Sequence, residues 1–340
     1  MSDTRTTCPY CGVGCGVVAR VEGDAVAVSG DAEHPANLGR LCSKGSALGE
    51  TLGLEGRLLA PVVNGERVTW RQAISHVARG FAGAIAAHGQ DSVAFYVSGQ
   101  LLTEDYYVAN KLAKGFIGAA NIDTNSRLCM SSSVAGHKRA FGADVVPGAY
   151  EDLEQADLLV FVGSNAAWCH PVLYQRIAAA KEKRPQTRVV LIDPRRTETA
   201  SLADLHLPLR PGSDAVLFNG LLNHLDVSGA GNADFVERHT AGAGAALAAA
   251  RAFGVDRVAE ACGLPPGVVA MFFDWFARTE KVVTLYSQGV NQSSIGVDKV
   301  NAILNCHLFT GRIGRPGLGP FSLTGQPNAM GGREVGGLSN

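Results

Sequence analysis

Short runs of consecutive apolar residues alternate along the chain with longer segments in which apolar residues recur every three or four positions. The short runs are typical of strands buried on both faces, and the longer repeats are typical of amphipathic helices. Strands are predicted at residues 158–162, 188–192 and 204–209, with helices over 171–183 and 214–225. This order predicts an α/β fold with a Rossmann-like, doubly wound parallel sheet.

The same periodicity predicts further elements on either side of this domain. Thr69 is placed to cap a helix over residues 70–88, and Thr103 is placed to cap a second helix that runs through Phe116. Strands are predicted at 92–97 and 281–286. The segment after residue 310 is rich in glycine, and we expect it to be a loop.

Residues 1–60 have a different pattern. Two short alternating runs, 17–21 and 25–28, flank a glycine-containing turn and predict a β-hairpin. Three cysteines precede this hairpin and a fourth follows it. Because the segment contains few apolar side chains, we expect it to be a small domain whose folding depends on a bound metal.

The spacing of these four cysteines predicts one inorganic centre. Cys8, Cys11 and Cys15 are separated by two and then three residues, and Cys42 follows after 26 more. Four thiolates hold either zinc or an iron–sulfur cluster, and three ligands from one tight loop favour the cluster. A structural zinc site and a disulfide pair are the alternatives. Lys44 is either an ordinary surface charge or a cation between this centre and a second redox group.

Composition and charge argue against several classes of protein. The 340 residues carry a net charge of -1 and are 46% hydrophobic, which gives no support to nucleic-acid or membrane-surface binding. The eight cysteines do not suit a secreted disulfide framework, and thiolate-held clusters favour a reducing compartment. No signal peptide, twin-arginine leader or membrane-spanning run is visible. These features predict a soluble, cytoplasmic protein.

Polar, glycine-containing or arginine-containing loops follow the predicted strands. Because ligands of doubly wound sheets bind at the carboxyl ends of the strands, three such loops in succession favour a nucleotide-like ligand over plain capped turns. The G-x-G-x-x-G fingerprint is absent, so an ordinary NAD site is not predicted. The loops begin at Gly163, Asp193 and Arg210, and similar polar strand ends occur at Gln100 and Ser287.

Cys129 lies close to a predicted helix start. Asn125 and the serines at 131–133 can cap a helix that begins near this cysteine. A thiol at a helix N-terminus is a good nucleophile or metal ligand. A buried structural role is the commoner fate of a lone cysteine, and the residues alone favour that alternative.

Taken together, the motifs resemble those of the molybdopterin-dinucleotide oxidoreductases, the family of dimethyl sulfoxide reductase. The resemblance covers the whole chain, and residues 325–335 are most similar to bacterial assimilatory nitrate reductases. The motifs that carry it are Cys8-x2-Cys11-x3-Cys15 with Cys42-Ser-Lys44-Gly, Asn125 to Met130, Gly163-Ser-Asn165 with His170-Pro171, Ile192-Asp193-Pro-Arg-Arg, and Thr310-Gly311-Arg-Ile-Gly.

The resemblance implies a 4Fe–4S cluster on the four N-terminal cysteines and a molybdenum bis(molybdopterin guanine dinucleotide) cofactor. It implies that Cys129 is the thiolate ligand of molybdenum, and that Lys44 bridges the cluster to one pterin. The further residues implied in cofactor binding are Gln100, Asn125, Gly163, Ser164, Asn165, Asp193, Arg195, Arg196, Gly212, Ser213, Asp214, Gln288 and Gln292.

The resemblance also implies the activity, which is reduction of nitrate to nitrite by oxygen-atom transfer. Electrons would come from ferredoxin, flavodoxin or an NAD(P)H-linked reductase, and would pass through the cluster. Formate dehydrogenases usually carry His after the metal ligand, whereas Met130 can only wall a pocket for a small oxyanion. Arg333 is the candidate that orients nitrate, with pairing to Glu334 or to a cofactor phosphate as the alternative. A formate dehydrogenase and a non-catalytic iron–sulfur fragment are the alternative functions.

The resemblance divides the chain into four parts. These are the cluster domain 1–60, the first part of an α/β domain carrying Cys129 at 61–140, a Rossmann-like pterin-dinucleotide domain at 141–310, and a glycine-rich segment at 311–340 that returns to the α/β domain. Relatives are roughly twice as long or more, a size that implies additional domains. We therefore expect a truncated catalytic subunit.

Overall fold

The structure is a computed structural model that describes residues 3–23 and 25–338. No helix in these ranges is long and apolar enough to cross a membrane. The strands are β1 Asp3–Thr7, β2 Gly16–Glu22, β3 Ala25–Gly30, β4 Val62–Val63, β5 Glu66–Arg67, β6 Phe95–Val97, β7 Ile122–Thr124, β8 Leu158–Val162, β9 Arg188–Ile192, β10 Leu205–Leu207, β11 Val282–Tyr286 and β12 Gly319–Ser322. The α-helices are α1 Ser43–Ser46, α2 Trp70–His88, α3 Thr103–Asn110, α4 Ser126–Phe141, α5 Tyr150–Gln155, α6 Ala166–Cys169, α7 Pro171–Lys183, α8 Asp214–Val227, α9 Ala233–His239, α10 Ala243–Ala250, α11 Val255–Cys262, α12 Pro266–Arg278, α13 Gln288–Asn291, α14 Gly296–Phe309 and α15 Ala329–Glu334.

The chain divides into two compact units, Met1–Arg127 with Gln326–Asn340 and Leu128–Gly325. The first unit begins with an antiparallel sheet in the order β1-β2-β3. The predicted hairpin is confirmed, because β2 and β3 pair along their length. β1 has no counterpart in the sequence prediction, because all five of its residues are polar and exposed and show no alternation.

The helix predicted over residues 70–88 is confirmed as α2. Thr69 and Gln72 form a reciprocal cap in which Gln72 Oε1 accepts from Thr69 N at 2.8 Å and Thr69 Oγ1 accepts from Gln72 N at 3.4 Å. No residue of α2 is buried, and Trp70 is 71% exposed. The apolar stripe of α2 is therefore left largely uncovered by the residues that the structure describes.

The rest of the first unit contains the parallel pair β6 and β7 and the helix α3. α3 continues as a π-helical segment, Lys111–Ile117. Its cap is Leu102 rather than Thr103, with the Leu102 N–H donating to Asp105 Oδ2 at 3.1 Å. Residues predicted as loop form α15, next to which Asn328 Nδ2 donates to the carbonyl of Leu101 at 2.8 Å.

The second unit contains a five-stranded parallel sheet in the order β10-β9-β8-β11-β12. The chain lays down β8 first and then adds strands on both sides of it, so the topological switch point falls between β8 and β11. The core joins β8, β9, β10 and β11 to Leu217 and Leu221 of α8 and to Phe272 and Phe276 of α12. The predicted Rossmann-like, doubly wound α/β fold is confirmed.

The expectation that the residues after 310 form only a loop is wrong. β12 pairs with β11 from Gly319 to Ser322. Its sequence has no β-branched residue, so its strand conformation comes from pairing with β11 rather than from intrinsic preference. Pro320 is tolerated because β12 lies at the edge of the sheet.

Candidate functional site

The loop over residues 8–15 gathers three cysteines in the first unit. Cys8 N donates to the carbonyl of Cys15 at 2.8 Å, which closes the loop at its base. Cys42 lies at the N-cap of α1. Burial raises the pKa values of Cys8, Cys11 and Cys15, and the charge of Cys42 adds a smaller upward contribution to each. The structure thus brings together the four cysteines predicted to hold the cluster.

These thiols resist ionisation when no metal is bound. Burial raises the pKa of Cys8 and Cys11, and it raises the pKa of Cys15 to about 12. Lys44 acts in the opposite direction on Cys11, where its positive charge lowers the pKa. Metal binding must therefore displace protons from the thiols, and Lys44 is close enough to the centre to favour the resulting thiolates.

Four thiolates can hold either a zinc ion or an iron–sulfur cluster. Within residues 3–23 and 25–338, no three His, Cys, Asp or Glu side chains converge closely enough to hold a single metal ion. The ligands of one zinc share one atom, whereas the four cysteines of a 4Fe–4S cluster each bind a different iron and stand farther apart. All eight cysteines are free of disulfides.

Three further predicted residues lie in the first unit. Asn125 Oδ1 accepts from Gly99 N at 2.9 Å, so this side chain shapes the loop after β6. Gln100 in that loop is exposed and accepts from Ser98 Oγ at 2.6 Å. Arg333 is partly buried in the last turn of α15. Their roles toward cofactor or nitrate stay predictions.

In the second unit, two loops meet at the switch point of the sheet. Gly163 follows β8 with a φ of 54°, and a Cβ added to it would lie 2.7 Å from the Cα of Gly289. Gly289 N donates to the carbonyl of Gly163 at 3.0 Å. Only glycine allows such an approach in this backbone conformation. The contact places the predicted loop 163–165 beside the predicted loop 287–292.

Cys129 faces the second of these loops. It lies in the first turn of α4, which begins at Ser126, three residues before the predicted start. Cys129 is 8% exposed, and Gln288 Nε2 donates to its Sγ at 3.1 Å. Ser287 Oγ donates to Gln288 Oε1, which holds the amide in that orientation. The sulfur is therefore buried in polar surroundings.

α4 is fixed to the end of β11 by a buried polar group. Tyr286 Oη lies 3.1 Å from Ser133 Oγ and 2.7 Å from His137 Nε2, and all three side chains are buried. Ser133 and His137 lie one and two helical turns after Cys129. Because Tyr286 is followed directly by Ser287 and Gln288, these bonds hold Cys129 in register with Gln288.

Met130 is held from another direction. It is 6% exposed, and Thr324 Oγ1 donates to its Sδ at 3.2 Å. The carbonyl of Thr324 accepts from His170 Nε2 at 2.7 Å. A carbonyl only accepts, so this nitrogen carries the proton, and burial lowers the pKa of His170 and keeps the ring neutral. No pattern in the sequence identifies Thr324, because only folding of the chain brings it next to Met130.

Several buried polar atoms at the carboxyl edge of the sheet have no hydrogen-bond partner. They are Ser164 Oγ after β8, Thr197 Oγ1 after β9, and both amide atoms of Asn291 after β11. Each unmet group of this kind costs about 1–3 kcal/mol. Their position and chemistry fit a ligand rich in donors and acceptors, as a pterin dinucleotide is.

The remaining predicted residues occupy the neighbouring loops. Asp193 Oδ1 accepts from Arg195 N at 2.9 Å, and Arg195 and Arg196 are exposed. Asn165 Oδ1 accepts from Thr199 Oγ1 at 3.0 Å. Gln292 is exposed one residue after α13. None of these side chains is buried in the hydrophobic core, so each remains a predicted cofactor contact.

The loop before α8 has one unexpected contact. Gly212 has a φ of 89°, and Ser213 Oγ donates to the carbonyl of Arg210 at 2.6 Å. Asp214 forms a buried ion pair with Lys299 Nζ at 2.7 Å. The Asp214 carboxylate therefore has a protein partner, and its contact with the cofactor stays a prediction. The position of Lys299 within the apolar stripe of α14 was the signal in the sequence that this lysine has a buried partner.

A cavity of about 820 Å³ lies at the opposite edge of this sheet. It is lined by Asp157 before β8, Arg188 at the start of β9, and Trp275 of α12. Arg188 lies 4.5 Å over the Trp275 ring. No predicted site residue lines this cavity, and in parallel α/β sheets ligands bind at the carboxyl edge, so we do not assign the site to it.

Comparisons with known proteins agree with the geometry. The family profile described as Molybdopterin oxidoreductase matches residues 57–340, and the Molybdopterin oxidoreductase Fe4S4 domain matches residues 1–52. The chain therefore contains domains for a molybdopterin cofactor and a 4Fe–4S cluster.

Two relatives and one solved structure show the extent of the similarity. A protein named nitrate reductase from Klebsiella oxytoca is 63% identical over all of this chain and 39% of its own length. A periplasmic nitrate reductase from Desulfovibrio desulfuricans is 40% identical over 99% of this chain and 47% of its own length. The structure of acetylene hydratase from Pelobacter acetylenicus has a TM-score of 0.79 and 23% identity, covering 89% of this chain and 42% of that one, and it supports the fold. The chain thus spans less than half the length of these proteins.

Proposed function

Because the chain belongs to the molybdopterin oxidoreductase family, we propose that it supplies the cluster-binding and metal-ligating parts of a nitrate reductase. The observation that supports this most directly is Cys129, a buried thiol that accepts a hydrogen bond from Gln288 beside the switch point of the sheet. The 63% identity to a nitrate reductase supports nitrate as the substrate.

The reaction takes two electrons and two protons, and it converts nitrate to nitrite and water. When bound, molybdenum supplies a Lewis acid and a two-electron couple for oxygen-atom transfer. Cys129 would hold the metal, and the N–H of Gln288 would stabilise negative charge on the sulfur. Cys8, Cys11, Cys15 and Cys42 would hold the cluster through which electrons enter.

The loops at the switch point would hold the pterin dinucleotide. The unpartnered hydroxyl of Ser164 and the amide of Asn291 are free to bond its polar atoms. Gly163 and Gly289 keep the backbone close enough for two loops to contact one ligand. The exposed Arg195 and Arg196 are suited to its phosphates, because guanidinium groups bind phosphate in bidentate fashion.

Met130 favours nitrate over formate as substrate. Its thioether is fixed by Thr324 and can neither donate nor relay a proton, which cleavage of a C–H bond in formate requires. Arg333 would orient the nitrate anion by charge-assisted hydrogen bonds. We further propose the assimilatory type, in the cytoplasm, with ferredoxin, flavodoxin or an NAD(P)H-linked reductase as electron donor. Eight free cysteines are compatible with such a reducing compartment.

The test compares two activities of the purified holoenzyme. Nitrite formation from nitrate with a reduced viologen dye is measured beside formate oxidation with an oxidised dye. We expect nitrate reduction that is abolished by Cys129→Ser, with iron content unchanged. Formate oxidation without nitrate reduction would assign the alternative dehydrogenase function, and iron without molybdenum in a well-folded preparation would assign a non-catalytic iron–sulfur module.

A further inference from the structure

The side chain of Asn37 joins the two cysteine-bearing segments of the first unit. Asn37 is 0% exposed. Its Oδ1 accepts from Gly16 N at 2.8 Å, and its Nδ2 donates to the carbonyls of Gly16 and Arg40, both at 2.9 Å. Gly16 follows Cys15 directly, and Arg40 lies two residues before Cys42. One amide therefore spans the end of the cysteine loop and the approach to the fourth cysteine.

These bonds secure Gly16 at the end of the ladder between β2 and β3. The ladder between β2 and β3 ends at the pair Val17 and Gly30, so Gly16 lies just beyond it. The carbonyl of Gly16 accepts from Asp31 N at 3.0 Å as well as from the Asn37 amide, and the N–H of Gly16 donates to the same amide. The pattern needs one acceptor and two donated N–H groups. Asparagine supplies both, whereas aspartate and leucine have no N–H to donate.

The backbone around Asn37 is fixed independently of its side chain. Leu38 and Gly39 have φ values of 48° and 79°, and Gly39 N donates to the carbonyl of Asp31 at 2.9 Å. A Cβ on Gly30 would lie 2.1 Å from the carbonyl oxygen of Gly39. The segment is thus held against the sheet by its own contacts, so the amide transmits a fixed position to both cysteine segments.

We propose that Asn37 is a positioning residue for the iron–sulfur cluster, and that it sets the separation between Cys15 and Cys42. Outer groups that orient metal ligands typically change metal affinity by roughly 10-fold to 100-fold when they are removed. This role does not depend on which substrate the enzyme reduces.

The test is Asn37→Asp in the holoenzyme, which keeps the acceptor for Gly16 N–H and turns the two donated bonds into oxygen–oxygen contacts. We expect a loss of iron and labile sulfide of roughly 10-fold after dilution into chelator. In the clusters that remain, we expect a lower midpoint potential, because a carboxylate near the thiolates opposes reduction. Iron and sulfide are measured chemically, and the potential is measured by EPR titration.

Asn121→Asp is the matched control. Asn121 Nδ2 also donates to a carbonyl, that of Asp91 at 2.9 Å, but Asn121 is exposed. If Asn37→Asp gives no soluble protein, Asn37→Gln keeps the donors and acceptor one methylene farther out, and a shifted potential is expected there. Unchanged iron retention and potential in the soluble Asn37 variant, or equal changes in Asn121→Asp, would overturn the proposal.

Discussion

The buried cysteines of the second unit differ in whether their sulfur atoms accept or donate hydrogen bonds. Cys129 accepts an N–H from Gln288, whereas Cys262 and Cys306 donate their own S–H groups to backbone carbonyls. A metal-binding thiolate needs donors around it, and a structural thiol needs acceptors. The surroundings of Cys129 therefore suit negative charge, as its proposed role as a molybdenum ligand requires.

The bond from Gln288 can be removed without changing the size of the side chain. Gln288→Met keeps the length and loses the N–H donor to Cys129 Sγ. We expect kcat/KM for nitrate to fall about 10-fold, since a hydrogen bond to a charged group contributes about 1.5 kcal/mol or more. Steady-state kinetics of the holoenzyme, normalised to molybdenum content, measure the effect. Gln186→Met, at an exposed position, is the control, and equal kcat/KM in both variants would argue against a role for this bond.

His307 makes the stability of the fold sensitive to acid. It is 0% exposed, bonded to Thr284 Oγ1 at 2.8 Å, and burial, followed by the charge of Arg312, lowers its pKa to about 3. A depressed pKa gives stability that is present above pH 6.5 and is lost as the pH falls toward 3. We expect a loss of about 2–3 kcal/mol in the free energy of unfolding by pH 4.5.

Urea unfolding at pH 7 and pH 4.5 measures this dependence. His307→Gln removes the titrating group, so its unfolding free energy should change less between the two pH values than that of the unsubstituted protein. Parallel pH dependence in the two proteins would show that His307 does not cause the acid sensitivity.

At the scale of elements, the switch point depends on two loops that touch through glycine. A Cβ on either Gly163 or Gly289 would meet the backbone of the other within 2.7 Å. Because of this contact, the loops after β8 and β11 lie side by side. Cys129, Gln288 and the unpartnered Ser164 are therefore placed to contact the same ligand.

Gly163→Ala tests this contact against Gly229→Ala. Both glycines have positive φ, 54° and 69°, but a Cβ on Gly229 meets nothing within 4 Å. The left-handed backbone should cost each variant about 1–2 kcal/mol. Gly163→Ala should lose about 1–3 kcal/mol more through overpacking, and should bind less molybdenum. Equal unfolding free energies and equal molybdenum contents would contradict this assignment.

Elements with a strong internal period are predictable from the sequence, and elements made by pairing are not. α2 and α7, with β8 and β9, match their expected bounds because each carries its own cap, period or apolar run. β1 is a polar edge strand, and β12 is Gly-Pro-Phe-Ser. Their strand conformation depends on a neighbour that is distant in sequence, so the local pattern does not reveal it.

The same division applies to the site. Polar strand ends and cysteine spacing identified the loops and thiols that the structure brings together. The contacts of Asn37, Thr324 and Lys299 were missed, because each joins segments whose proximity only the fold creates. The ion pair between Asp214 and Lys299 joins a predicted ligand loop to α14, and the pattern of the loop alone did not reveal it.

At the scale of the whole molecule, the residues predicted to bind iron and molybdenum lie in different units. The four N-terminal cysteines belong to the first unit, and Cys129 belongs to the second. We therefore expect the cluster to load without molybdopterin. Protein from a host that cannot make molybdopterin should contain the iron and sulfide of a full cluster and no molybdenum. Cys42→Ser in the same host should lose the iron, and an iron-free parent protein would contradict independent loading.

The central claim is that Cys129 is the protein ligand of molybdenum. X-ray absorption at the molybdenum edge counts the sulfur atoms bound to the metal in the holoenzyme and in Cys129→Ala. The account predicts one molybdenum–sulfur bond fewer in the variant, with the sulfur atoms of the pterins retained and the iron content unchanged. An identical sulfur count in the two proteins, at full molybdenum occupancy, would contradict it.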